Sequence, residues 1–134
     1  AQCGHSPLIK VARDFGIGWH LLTDGDEAGQ KYAQGVRSML RGEREEDHLT
    51  VLPRLDIEHY LFDSGLESVF REQAQIHDKH TPTTRIIERA LSRRSKPGMA
   101  LSVVEAIELQ GVQLVPVELR RMFARMVAIA RRQR

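Results

Sequence analysis

The spacing of hydrophobic positions along the chain changes character near residue 55. Before that point, helical spacing alternates with short unbroken apolar runs. Ser6-Pro7 fits an N-cap and first helical position, and Leu8, Ile9, Ala12 and Phe15 follow on one face. Gly16 and Gly18 stop that helix, and the apolar run over residues 17–22 predicts a buried strand. A helix is expected over residues 27–41, with Ala28, Tyr32, Val36, Met39 and Leu40 as its inward stripe. The charged segment 42–48 reads as a loop, and Thr50-Val51-Leu52, stopped by Pro53, reads as a second strand. The order helix, strand, helix, strand implies parallel pairing through right-handed crossovers. Residues 1–4 read as the end of an earlier strand and its turn, so the chain is expected to be a piece of a longer protein.

Beyond residue 55 the period is helical throughout. Short helices are expected over residues 56–62 and 66–76. Thr81-Pro82 opens another, running to about Ser92 with Ile86, Ile87, Ala90 and Leu91 inward. Ser95-Lys96-Pro97 starts the next, which ends at Gln110-Gly111 with glycine as its C-terminal cap. Pro116 opens the last helix, whose apolar stripe is Leu119, Met122, Phe123, Met126, Val127 and Ala130. Arginines 120, 121, 125, 131, 132 and 134 occupy its other face. The fold class is therefore α/β: a partial parallel sheet flanked by helices in residues 1–55, with a helical extension over residues 56–134 of one domain.

Charge sharpens this picture. The net charge of +2 hides a polarity: residues 1–78 carry 8 Lys/Arg against 14 Asp/Glu, and residues 79–134 carry 12 against 4. An acidic half beside a basic half suits a metal site next to a phosphate-binding surface, though solvated helix faces of opposite sign would look the same. No run approaches the roughly 18 apolar residues of a membrane span, and no signal peptide is seen, so a cytoplasmic protein without membrane contact is expected. Cys3 is the sole cysteine, which excludes an internal disulfide. No phosphate-binding loop of the Walker type is present.

Asp24-Gly25-Asp26 is the strongest chemical signal. It follows the first apolar run, at the carboxyl end of a central strand, where open α/β sheets place their sites. Carboxylates about 6 Å apart repel by roughly 3 kcal/mol at an effective dielectric of ~20. A hard divalent cation such as Mg²⁺ or Mn²⁺ would turn that repulsion into binding. Asp26 also fits the N-cap of the next helix, so a purely structural role stays open. Asp56 and Glu58 follow the second strand and could complete a two-metal cluster, or could cap a helix. Lys96 stands at a helix start, suited to a phosphate oxygen but also to an ordinary surface position beside Arg93 and Arg94. His77-x-x-His80 lacks a third ligand for zinc, His20 reads as a hydrogen-bonded core residue, and His59 could touch substrate or only pack.

The segment Thr23-Asp24-Gly25-Asp26-Glu27-Ala28-Gly29 resembles the D-x-D strand of Toprim domains, shared by primases, topoisomerases and certain nucleases. With Asp56-Ile57-Glu58-His59-Tyr60-Leu61 and Ser95-Lys96-Pro97-Gly98 downstream, most of the chain resembles the C-terminal Toprim region of the OLD (overcoming lysogenization defect) family of ATP-dependent bacterial nucleases. The resemblance implies a Toprim-like α/β core and cleavage of DNA by a two-metal mechanism using Mg²⁺ or Mn²⁺. It implies Asp24, Asp26, Asp56 and Glu58 as metal ligands and Lys96 as the residue that steadies the phosphate. DNA contacts are expected from Arg93, Arg94, Lys96, Arg120, Arg121 and Arg125. ATP would act only through an ATPase domain elsewhere in the parent chain, and a homodimer is compatible with the family. The glutamate motif that ends the first Toprim strand has no counterpart here, so residues 1–134 are expected to be catalytically incomplete alone. Two rival readings are a primase- or topoisomerase-like Toprim domain and a non-catalytic DNA-binding or dimerisation module.

Overall fold

A computed structural model describes residues 4–133. The expectations placed on Cys3, on a strand end at residues 1–3 and on Arg134 lie outside the described residues. The chain forms two compact units. The first takes the chain up to Leu55 and resumes at Val117, and the second is the continuous stretch Asp56–Pro116.

In the first unit, helix α1 (His5–Asp14) leads to strand β1 (Leu21–Thr23), helix α2 (Glu27–Met39), a single helical turn α3 (Glu45–His48) and strand β2 (Leu49–Val51). The strands pair in parallel with Leu21 opposite Leu49, Leu22 opposite Thr50 and Thr23 opposite Val51. This is an α/β layout with a two-stranded parallel sheet in an otherwise helical chain. Its core gathers Ile9, Ala33, Val36 and Leu49, with Trp19, Leu21, Met39, Leu40 and Val51 packed against them.

Several sequence expectations are corrected here. Gly4, not Ser6, holds the N-cap position of α1, and no side chain caps it. Only Ile9 of the α1 stripe is buried, while Leu8 and Phe15 stay exposed. The first strand is three residues long and starts at Leu21, four later than the apolar run. Side-chain hydrogen bonds replace the ladder over that lead-in: the His48 ring donates to the Trp19 carbonyl, and the His20 ring donates to the Asp47 carbonyl. Neither strand is central, because the described sheet has two strands only.

The buried stripe of α2 is Gly29, Ala33 and Val36, not the face through Ala28 and Tyr32. A Cβ on Gly29 would overlap the Asp24 carbonyl oxygen, so α2 seats its glycine side against the turn before it. The segment expected to be a charged loop contains α3, and its Asp47 is buried.

The second unit begins with helix α4 (Ile57–Leu61) and passes through a wide helical turn over Phe62–Leu66. Gly65, at φ 106°, breaks that turn, and helix α5 (Glu67–Ala74) follows. Helix α6 (Thr83–Gln110) is interrupted at Ser95, where φ is 68° and ψ is 166°. The two expected helices are thus both present, joined at the expected Ser-Lys-Pro. The Ser95 hydroxyl accepts a hydrogen bond from Gly98 N–H at 3.3 Å, capping the second segment. Phe62, Leu66, Val69, Phe70, Ile86, Ile87, Ala90, Met99, Val103 and Ala106 form this unit's core.

Helix α7 (Val117–Arg132) belongs with the first unit, not with a continuous helical extension. Its inward side carries Met122 and Arg125, and Phe123, Met126 and Val127 are exposed. The expected stripe is thus buried only at Met122, and two arginines of the expected basic face, Arg125 and Arg132, reach the buried Asp47. Among the described residues no helix is long and apolar enough to cross a membrane.

Gly29→Ala is expected to destabilise the protein by about 2 kcal/mol or more, because the new methyl meets backbone that must move. The exposed Gln34→Ala, on the same helix, should change stability little. Thermal unfolding followed by circular dichroism compares the two.

Candidate functional site

At the carboxyl edge of the parallel pair, the chain leaves β1 through Asp24-Gly25-Asp26 and leaves β2 through Leu52-Pro53-Arg54. Leu52 N–H donates to the Thr23 carbonyl at 2.9 Å, and Gly25 N–H donates to the Arg54 carbonyl at 2.8 Å. A Cβ on Gly25 would overlap the Leu52 and Arg54 carbonyl oxygens. The buried Thr23 hydroxyl lies within hydrogen-bonding distance of two carbonyls, 2.9 Å from that of Asp24 and 3.2 Å from that of Gly29. The turn between the two aspartates is therefore fixed from both sides.

Asp24 is exposed at this strand end. Asp26 is the N-cap of α2, and its Oδ1 accepts a hydrogen bond from Gly29 N–H at 2.7 Å. The capping role left open by the sequence is thus real, and it uses one of the two carboxylate oxygens.

The second unit brings together Asp56, Glu58, His59, Thr84 and Lys96. Asp56 caps α4, accepting from His59 N–H at 2.8 Å. The same oxygen accepts from His59 Nδ1 at 2.7 Å, and His59 Nε2 lies 3.2 Å from Thr84 Oγ1. Burial works against ionising Asp56, but the two His59 hydrogen bonds outweigh it, and its carboxyl ionises below the ordinary range. Glu58, largely buried, holds the exposed Lys96 ammonium at 3.0 Å. The sequence placed Asp56, Glu58 and Lys96 among the site residues, and the structure does gather these three. It adds His59 and Thr84, whose link runs from an i, i+3 pair to a helix 25 residues away and has no sequence signature.

These carboxylates are hard oxygen donors, the chemistry that Mg²⁺ and Mn²⁺ favour. Neither unit gathers three or more His, Cys, Asp or Glu side chains into a metal-binding group among the described residues. The donor type fits such an ion, and any ion would be completed by water or substrate oxygens.

The basic residues divide by their contacts. Arg93 Nε donates to the Gln73 carbonyl at 3.0 Å, and Arg94 donates to Ser102 Oγ at 3.3 Å. Arg120 and Arg121 are exposed on α7. Arg125, expected to contact DNA, is committed to Asp47 at 3.3 Å, and Arg132 reaches the other Asp47 oxygen at 3.4 Å. Asp47 was missed by the sequence reading. Three consecutive acids beside a histidine look like a solvated turn, and nothing local tells which one turns inward. Burial raises the Asp47 carboxyl, but hydrogen bonding to Arg132 and the charges of both guanidiniums lower it by more. His20 moves down as well, chiefly through burial, with its ring held between the Asp47 carbonyl and Thr50 Oγ1.

Asp47→Asn should cost about 1–2 kcal/mol at neutral pH, since both arginines keep partial contact with water. The folded-state carboxyl is depressed, so its stabilisation is fully present above about pH 4 and is lost as pH falls through the folded value. Denaturant titrations across pH 2–7 should show a steeper acid loss for the parent than for the variant.

No protein-family model matches the chain, and no solved structure matches it. Among curated proteins, it is similar to "Uncharacterized protein YbjD" of Escherichia coli (strain K12), with 47% identity over 134 residues. The match takes in 98% of this chain and 24% of that relative, so the chain spans about a quarter of its length.

Proposed function

We propose that this chain is part of the catalytic domain of a divalent-metal-dependent DNA endonuclease, with a Toprim-like core similar to that of the OLD family. The observation that carries the reading is the Asp24-Gly25-Asp26 turn, locked at the carboxyl edge of a parallel strand pair by the Gly25–Arg54 hydrogen bond. Glu58 and Lys96, paired at 3.0 Å, support it by supplying a carboxylate and an ammonium suited to a cation and a phosphate oxygen.

In this reading Asp24 and Asp26 of the first unit, and Asp56 and Glu58 of the second, would serve as ligands for Mg²⁺ or Mn²⁺. The ions supply Lewis-acid activation of the phosphodiester and of the attacking water. Asp26 and Asp56 each use one oxygen for a helix cap, which fixes the carboxylate and leaves its second oxygen for the ion. Lys96 moves from Glu58 to the charge that develops on the phosphate. Arg93, Arg94, Arg120 and Arg121 contact the DNA backbone, giving salt-sensitive, sequence-independent binding. ATP dependence, an ATPase domain in the same parent chain and a homodimer belong to the same proposal for the whole protein.

A second reading is a non-catalytic DNA-binding module. It is favoured by the fact that Asp26 and Asp56 both serve as helix caps, roles that require no ion.

Plasmid nicking by the full-length parent separates the two. Nicking should require Mg²⁺ or Mn²⁺, stop in EDTA, and fall to the metal-free level in Asp24→Ala. Lys96→Ala should lower the rate by roughly 100-fold. An unchanged rate in Asp24→Ala would contradict the nuclease reading, and DNA binding without nicking would favour the module.

A further inference from the structure

His59 does more than the cap of α4 requires. Capping needs one hydrogen bond from a first-turn N–H to the Asp56 side chain, and His59 N–H supplies it at 2.8 Å. The imidazole then folds back so that Nδ1 reaches the same Oδ1 at 2.7 Å. Oδ1 thus accepts two hydrogen bonds, while Asp56 Oδ2 accepts none among the described residues. Rotating the carboxylate would break both bonds at once, so the terminal torsion of Asp56 is fixed with one oxygen turned away from the clamp.

The other ring nitrogen is also engaged. His59 Nε2 lies 3.2 Å from Thr84 Oγ1 at the start of α6. A single neutral tautomer satisfies both contacts, with Nδ1–H donating to Asp56 and Nε2 accepting from the Thr84 hydroxyl. With both nitrogens occupied, His59 is not placed to take a proton from a substrate. Its geometry is that of a group that holds another group in place.

We propose that His59 is a positioning residue: it clamps Asp56 by Oδ1, ties that clamp to α6 through Thr84, and presents Oδ2 to a divalent cation. The cation rests on the nuclease reading above, whereas the clamp itself does not. Outer contacts of this kind hold ligating carboxylates in place, and losing one commonly weakens metal binding by about 10–100-fold.

Side-chain length makes the test specific. Asn Nδ2 occupies the place of His Nδ1, so His59→Asn keeps the donor toward Asp56 and drops the Thr84 link. Gln Nε2 matches His Nε2 in reach, so His59→Gln keeps the Thr84 side and loses the clamp. Mn²⁺ binding by the full-length parent protein, measured by calorimetry, should weaken at least about 10-fold in His59→Ala and His59→Gln. It should return to near the parent value in His59→Asn. Circular dichroism at the same temperature confirms that each variant is folded.

A metal-free arm uses ¹⁵N NMR of the His59 ring in EDTA. The proposal requires the Nδ1–H tautomer in the parent and its loss in Asp56→Ala. An Nε2–H tautomer, or Mn²⁺ binding by His59→Gln equal to that by His59→Asn, would overturn the clamp. A parent that shows the Nδ1–H signal but binds no Mn²⁺ would instead overturn the nuclease reading, and the ligand-positioning role with it.

Discussion

The feature on which the first unit depends is the close approach of backbone to backbone around the Asp-Gly-Asp turn. Gly25 lies against the carbonyls of Leu52 and Arg54, and Gly29 lies against the carbonyl of Asp24. Neither contact tolerates a side chain. Together they join the exit of β1 to the exit of β2 and set which face of α2 turns inward. The backbone that carries the two aspartates is held by this packing whether or not an ion is present. On the nuclease reading, a turn fixed before an ion arrives would avoid ordering cost at binding.

Ion pairing joins apolar burial in seating the last helix, whose buried residue is Met122. Its strongest hydrophobic positions, Phe123 and Val127, stay exposed, while Arg125 and Arg132 turn toward the buried Asp47. A buried carboxylate without counter-charge costs several kcal/mol, more than one partly exposed aliphatic side chain returns. The same ion pairs redefine the basic surface, since Arg125 neutralises the protein itself and Arg120 and Arg121 remain at the surface.

Much of the architecture was legible in the sequence where a local rule was strong. The parallel pair followed from alternating helical and apolar segments, and the break at Ser95 followed from Ser-Lys-Pro, a cap followed by a residue that tolerates only a helix start. The capping roles of Asp26 and Asp56 were visible as well. What failed was whatever depended on distant partners. The α2 stripe shifted because Gly29, a poor helix former, has the tightest contact. The lead-in to β1 left the sheet because His20 and His48 supplied its hydrogen bonds. His59 and Thr84 meet across 25 residues, and Asp47 meets Arg125 across 78, distances no periodicity encodes.

The central proposal is that Asp24 and Asp26 in the first unit, and Asp56 and Glu58 in the second, are ligands for divalent cations that act on DNA phosphate. Anomalous diffraction from crystals grown with Mn²⁺ tests it most directly, because the signal reports the ion and its ligands together. The account predicts Mn²⁺ at the Asp24-Gly25-Asp26 turn, and Mn²⁺ at Glu58 with Lys96 displaced from its carboxylate. Anomalous maps with no Mn²⁺ peak at any of the four carboxylates would contradict it.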